Sequence, residues 1–160
     1  MTSNFQVKQA VNDEQLQQIA VLADTIWHEH FTSIIGTAQV EYMLDKFQSF
    51  PALKRQLTDG YEYYQIFDNT DFCGYCGIHP QDGKLFLSKL YLKKEARGRH
   101  FATQTFAFLK SLCQERGLCS IWPILKIILF HFALHPLLFL TDYHTPDLPH
   151  HMQIPLLRPA

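Results

Sequence analysis

The spacing of hydrophobic positions changes period along the chain. From Asn12 to Trp27 the apolar residues Leu16, Ile19, Ala20, Ala23, Ile26 and Trp27 recur at helical intervals, with Asn12 or Asp13 available as a cap. Gly36 breaks this pattern, and Thr37 is placed to cap a second helix with Val40, Met43, Leu44 and Phe47 on one face. Pro51 restarts a short helical stretch that Gly60 ends. Strand-like runs occupy residues 5–10, 61–67, 71–79 and 84–92. The last three are joined by Asp68-Asn69-Thr70-Asp71 and Pro80-Gln81-Asp82-Gly83, both of them hairpin chemistry. A helix over 101–116 follows, with Phe101, Thr105, Phe108, Leu109 and Leu112 inward, and LCSIW opens one more strand. The order β-α-α-β-β-β-α-β predicts an antiparallel meander and a helical crossover to a strand parallel to its predecessor. The fold class is therefore α/β, a mixed, mostly antiparallel sheet flanked by helices.

The composition changes near Trp122. All 7 glycines lie at or before Gly117, whereas only Pro51 and Pro80 of 8 prolines precede Trp122. Residues 123–160 carry just Lys126, Asp142, Asp147 and Arg158 as charges. This divides the chain into one domain, 1–122, and an atypical apolar, Pro- and His-rich tail, 123–160, which leaves the C-terminal part of the fold incomplete. Residues 124–140 are apolar but contain Lys126, His131, His135 and Pro136, so no membrane span is expected. A net charge of −1 gives no general attraction for nucleic acid. The first residues show neither a basic nor an apolar signal region, so a cytoplasmic protein with reduced thiols is expected.

The candidate chemistry centres on the turn Arg97-Gly98-Arg99-His100-Phe101-Ala102, between a strand and a helix. The first turn of that helix has free N–H groups and the positive end of the dipole, Arg97 and Arg99 add charge, and Gly98 lets backbone approach a ligand. A phosphate cradle and a solvated basic loop both fit these residues. Cys73 and Cys76 have metal or redox spacing, but mid-strand residues three apart point to opposite faces, so no metal site is expected. His28 and His30 point about 200° apart on a helix, which argues against shared metal ligation. Glu29 and His30 remain as candidates for substrate binding or proton transfer.

The element order and the turn together resemble the GNAT superfamily of acetyl-CoA-dependent N-acetyltransferases, over 1–122. The family signature is [Q/R]-x-x-G-x-[G/A]; Arg97 matches its first position and Ala102 its last, while His100 stands where the central glycine belongs. The stretches IWHEHFTSIIGTAQVEYMLDKFQS and GYEYYQI with LFLSKLYL look like one bacterial branch of that family. The resemblance implies acetyl-CoA as co-substrate, with its pyrophosphate on the amides of Arg97, Gly98, Arg99, His100, Phe101, Ala102 and Thr103. It implies pantetheine paired with the strand edge at Leu90, Tyr91 and Leu92. The acceptor would be a small-molecule or protein amine, with no metal, and a homodimer is allowed. Direct attack of the amine on the thioester needs a base to free the amine and an acid for the thiolate. The family's later elements, among them the helix that often bears a tyrosine acid, are not visible after Trp122. That break suggests a shifted reading frame, a divergent C-terminus or an artefact of gene prediction, and it predicts impaired turnover. A non-catalytic acyl-CoA-binding remnant and a small interaction module are the alternatives.

Overall fold

The computed structural model describes residues 4–123. The elements run β1 (Phe5–Gln9), α1 (Asp13–Ile35), α2 (Thr37–Phe47), α3 (Phe50–Thr58), β2 (Glu62–Asp68), β3 (Asp71–Gln81), β4 (Lys84–Leu92), α4 (Phe101–Glu115) and β5 (Ile121–Pro123). A 3-10 turn over Lys94–Ala96 precedes α4. The expectations for the tail beyond Pro123, including the apolar run at 124–140, fall outside the described residues.

Local chemistry sets the helix ends. The Asn12 side chain accepts the Gln15 N–H at 2.9 Å and caps α1, an arrangement worth about 1 kcal/mol. Gly36, at φ 80°, is the cap of α2; Thr37, expected in that role, is already helical. Positive φ at Gly36 reverses the chain between two helices, which a residue with a Cβ resists.

The sheet order is β1-β2-β3-β4-β5, with β4 and β5 parallel and every other neighbour antiparallel. The parallel crossover through α4 matches the expected topology. Leu16, Ile19, Ile26, Leu53, Tyr63 and Tyr75 form a core between α1–α3 and one sheet face. On the other face Ile66, Cys76, Ile78, Leu87, Leu90, Phe101 and Leu109 form a second core beneath α4. Arg116, at the end of α4, grips the Glu62 carboxylate with both Nη atoms, at 2.6 and 2.9 Å, and so fastens the helix to β2.

Two single-residue bulges shift the strand alternation. Opposite Ile66 and Phe67, β3 carries Cys73 as an extra residue; opposite Gly77 and Ile78, β4 carries Ser88. Pro80 lies inside β3 rather than in the turn, which is the two-residue Asp82-Gly83, both at positive φ. The proline is tolerated because β2 ends opposite Ile78, so no partner strand awaits its missing N–H.

Candidate functional site

The bulge at Ser88 shifts the outward-facing backbone groups of β4 from odd-numbered to even-numbered residues. Lys93 N–H donates to the Cys73 carbonyl at 2.8 Å, so 93/73 is a hydrogen-bonded pair of the β3–β4 ladder. Alternation then makes Tyr91/Tyr75 the next such pair and turns the N–H and C=O of Leu90 and Leu92 away from β3. Before the bulge the odd-numbered residues take the outward position, and Leu85 N–H donates to the Ser120 carbonyl at 2.9 Å. β5 covers this edge only along Leu85, Phe86 and Leu87, opposite Ile121, Trp122 and Pro123. Beyond Leu87 this edge of β4, the one away from β3, has no strand beside it among the described residues. Of the three predicted edge residues, Leu90 and Leu92 thus offer main-chain groups, whereas those of Tyr91 are directed at β3.

This edge leads into the predicted turn. Gly98 at φ 72° and His100 at φ 64° are both left-handed, and His100 is the N-cap of α4 with no side-chain cap bond. The N–H groups of Phe101, Ala102 and Thr103 lie in the first helical turn, where the helix itself supplies no acceptor. Open space surrounds the position a Cβ would take at Gly98, so backbone there is accessible. The two arginines are both engaged. Arg99 pairs with Asp68 at 2.6 Å and lies over the Phe101 ring at 5.1 Å. Arg97 donates from Nε to the Leu92 carbonyl at 3.1 Å, and its Nη1 faces His30 Nδ1 at 3.5 Å.

His30, on α1, is therefore brought to the turn, 67 positions away in sequence. Burial and then the Arg97 charge hold its imidazole below the ordinary range. Glu29 is exposed on the same helix, and its charge opposes these effects on His30. A cavity of about 250 Å³ between α1 and α2, lined in part by Asp24, Glu41 and Gln48, includes no residue of β4 or of the turn.

Two features escape a sequence reading. The Cys73 bulge places Cys73 and Cys76 in the same core, not on opposite faces as strict alternation implies. Burial pushes their thiols up to about 11 and about 12, values of inert core cysteines rather than thiolate ligands. Among the described residues no group of three or more His, Cys, Asp or Glu side chains is placed to hold a metal. Lys89 is buried, 5% exposed, and bonded to the Tyr63 hydroxyl at 2.7 Å and to Gln56 Oε1. Burial pushes its amine down to about 7. A lysine inside a strand reads as solvent-facing, and only its apolar flanks Leu87 and Leu90 hint otherwise.

Residues 23–127 match the model of the acetyltransferase (GNAT) family. A search of curated proteins found no match. Among solved structures, the chain is similar to PaiA N-acetyltransferase from Thermoplasma acidophilum in complex with coenzyme A, at TM-score 0.62 and 16% identity, covering 72% of this chain and 75% of that one. It is also similar to a GNAT-family acetyltransferase from Staphylococcus aureus, at TM-score 0.56 and 15% identity, covering 81% and 80%. A third is an N-acetyltransferase from Ralstonia eutropha, at TM-score 0.58 and 11% identity, covering 87% and 97%. At these identities the likeness is one of fold.

Proposed function

Because this chain belongs to the GNAT acetyltransferase family, we propose that it binds acetyl-CoA and transfers the acetyl group to an amine, carried by a small molecule or a protein. The observation that carries this reading is the continuity between the outward-facing main-chain groups of β4 at Leu90 and Leu92, which have no strand partner on that side among the described residues, and the left-handed turn that opens α4. The N–H groups from Gly98 to Thr103 suit a pyrophosphate, since donors and dipole converge there, whereas the Arg97 N–H, also expected in that set, donates to the Lys94 carbonyl at 3.2 Å. The outward groups of Leu90 and Leu92 suit the amides of a pantetheine arm, which pairs as an added strand does. When bound, acetyl-CoA supplies an acyl group activated as a thioester. The chain holds that group in register along β4. Residues 1–122 carry all of these parts.

Calorimetry with coenzyme A, followed by a thiol-release assay with acetyl-CoA over a broad amine panel, tests the reading. Binding with amine-dependent release supports it. Binding without release supports the non-catalytic alternative, and no binding at millimolar coenzyme overturns both.

No helix among the described residues is long and apolar enough to cross a membrane.

A further inference from the structure

Arg97 occupies the first position of the signature, where its charge reads as a phosphate contact. Its side chain is turned elsewhere. Nε donates to the Leu92 carbonyl, one of the outward groups of the β4 edge, and Nη1 faces His30 on α1. We propose that Arg97 is a positioning residue for the pantetheine arm: by occupying the Leu92 carbonyl it leaves the Leu92 N–H and the two groups of Leu90 as the pairing set. This rests on the coenzyme reading above and specifies how that same edge is used.

The chemistry of the contact fixes more than one group. A guanidinium donates at every nitrogen and accepts at none. His30 Nδ1 must therefore present its lone pair to Arg97, and the neutral ring carries its proton on Nε2. The Leu92 carbonyl, the Arg97 side chain and the His30 ring form one chain of contacts that ties α1 to the end of β4. Its location also bears on His30. A coenzyme whose pyrophosphate sits on 98–103 runs along β4 from Leu92 toward Leu90, so its thioester arrives at the Ser88 end. His30 stands at the Leu92 end, beside the arm. It acts with Arg97 in holding the edge, and the proton transfers of the reaction fall to other groups.

Two substitutions separate this role from phosphate binding. Arg97→Met keeps the length of the side chain without a donor, and Arg97→Gln keeps a neutral N–H donor without the charge. Each full-length variant is titrated by calorimetry with coenzyme A and with ADP, which has a pyrophosphate but no pantetheine arm. Arg97→Met is expected to weaken coenzyme A by about tenfold, the scale of one hydrogen bond to a charged group, and to leave ADP within about twofold. Arg97→Gln is expected to keep coenzyme A within about threefold. Nitrogen NMR of the His30 ring should show the Nε2-protonated form in the parent and a mixture in Arg97→Met. Equal losses for coenzyme A and ADP in both variants would show that the charge reads phosphate and would overturn the proposal. So would an unchanged coenzyme affinity in Arg97→Met. A parent chain that binds neither ligand overturns the coenzyme reading itself, and this proposal with it.

Discussion

Tyr63 lies across Gly77 of the neighbouring strand, and its hydroxyl meets Lys89 Nζ two strands away at 2.7 Å. The ring can cross there only because position 77 lacks a side chain: a Cβ would stand 2.8 Å from Tyr63 Cε1. Alanine in place of glycine within a strand ordinarily stabilises slightly, by about 0.5–1 kcal/mol. Here the overlap outweighs that gain. Gly77→Ala is expected to destabilise the chain by about 1–3 kcal/mol, measured as a lowered urea midpoint. An unchanged or raised midpoint would show that the ring has room to move aside.

Lys89 is a buried cation without a carboxylate partner among its bonds, and its removal should help the fold. Tyr63 also donates to Gln56 Oε1 at 2.6 Å, so the two neutral partners stay satisfied by each other when the amine is gone. Lys89→Met is expected to stabilise by about 2 kcal/mol at pH 7. The sign of the pH dependence follows from the amine, which titrates at 10.5 unfolded and near 7 folded. Between those values the unfolded chain holds a proton that the folded chain does not, so parental stability rises with pH through this window. The advantage of the variant should therefore be largest at and below pH 7 and fade toward pH 10.5. Denaturation at several pH values reads this directly; an advantage that grows with pH would contradict the assignment.

The clamp between Arg116 and Glu62 has its own dependence, set in acid. Burial raises the Glu62 carboxyl, but the bonds from Arg116 and Tyr64 prevail and hold it below its ordinary value. A depressed carboxyl contributes stability above its unfolded value of 4.5 and loses it as the pH falls through the folded one. The two side chains remain 34% and 21% exposed, so solvent screening limits the effect. Arg116→Met is expected to destabilise by about 1 kcal/mol at pH 7. That difference should shrink below pH 4.5 in thermal unfolding. A difference that persists undiminished in acid would point to lost packing instead of lost pairing.

His100 adopts φ 64° with no compensating side-chain bond. Glycine reaches that conformation freely, and its lack of a Cβ clears the approach to the N–H groups of the turn. His100→Gly is expected to tighten coenzyme A by about 1 kcal/mol, or roughly fivefold, in calorimetry. Equal or weaker affinity would mean that the imidazole contributes a contact of its own.

Much of the scaffold is legible in the residues. Asn12, Gly36 and Gly117 punctuate the helices as local chemistry requires, and Asp82-Gly83 turns β3 into β4. The turn from Arg97 to Ala102 is equally local, so its place before α4 is legible too. Period-2 reading fails at Cys73 and Ser88, because it assumes that no strand gains a residue against its partner. The misplacement of the two cysteines follows from that assumption. The partners of Arg97 and Lys89 are hidden for another reason. His30, Gln56 and Tyr63 reach them through tertiary packing, from sequence separations of 67, 33 and 26 residues. No local pattern encodes such distances.

At Ser88 the strand carries a residue that its packing does not require. Without it, Leu85, Leu87, Leu90 and Leu92 would follow one another at strict intervals of two and still enter the core beneath α4. Lys89 would keep its place on the opposite face, and the register with β3 would run unbroken from Gly74 to Gln81. What the shorter strand would lose is curvature, because a bulge bends its strand and deepens the local twist. The surplus residue thus separates two demands on one strand: packing is served by a regular ladder, while the bend falls just before Leu90 and Leu92, whose main-chain groups face outward.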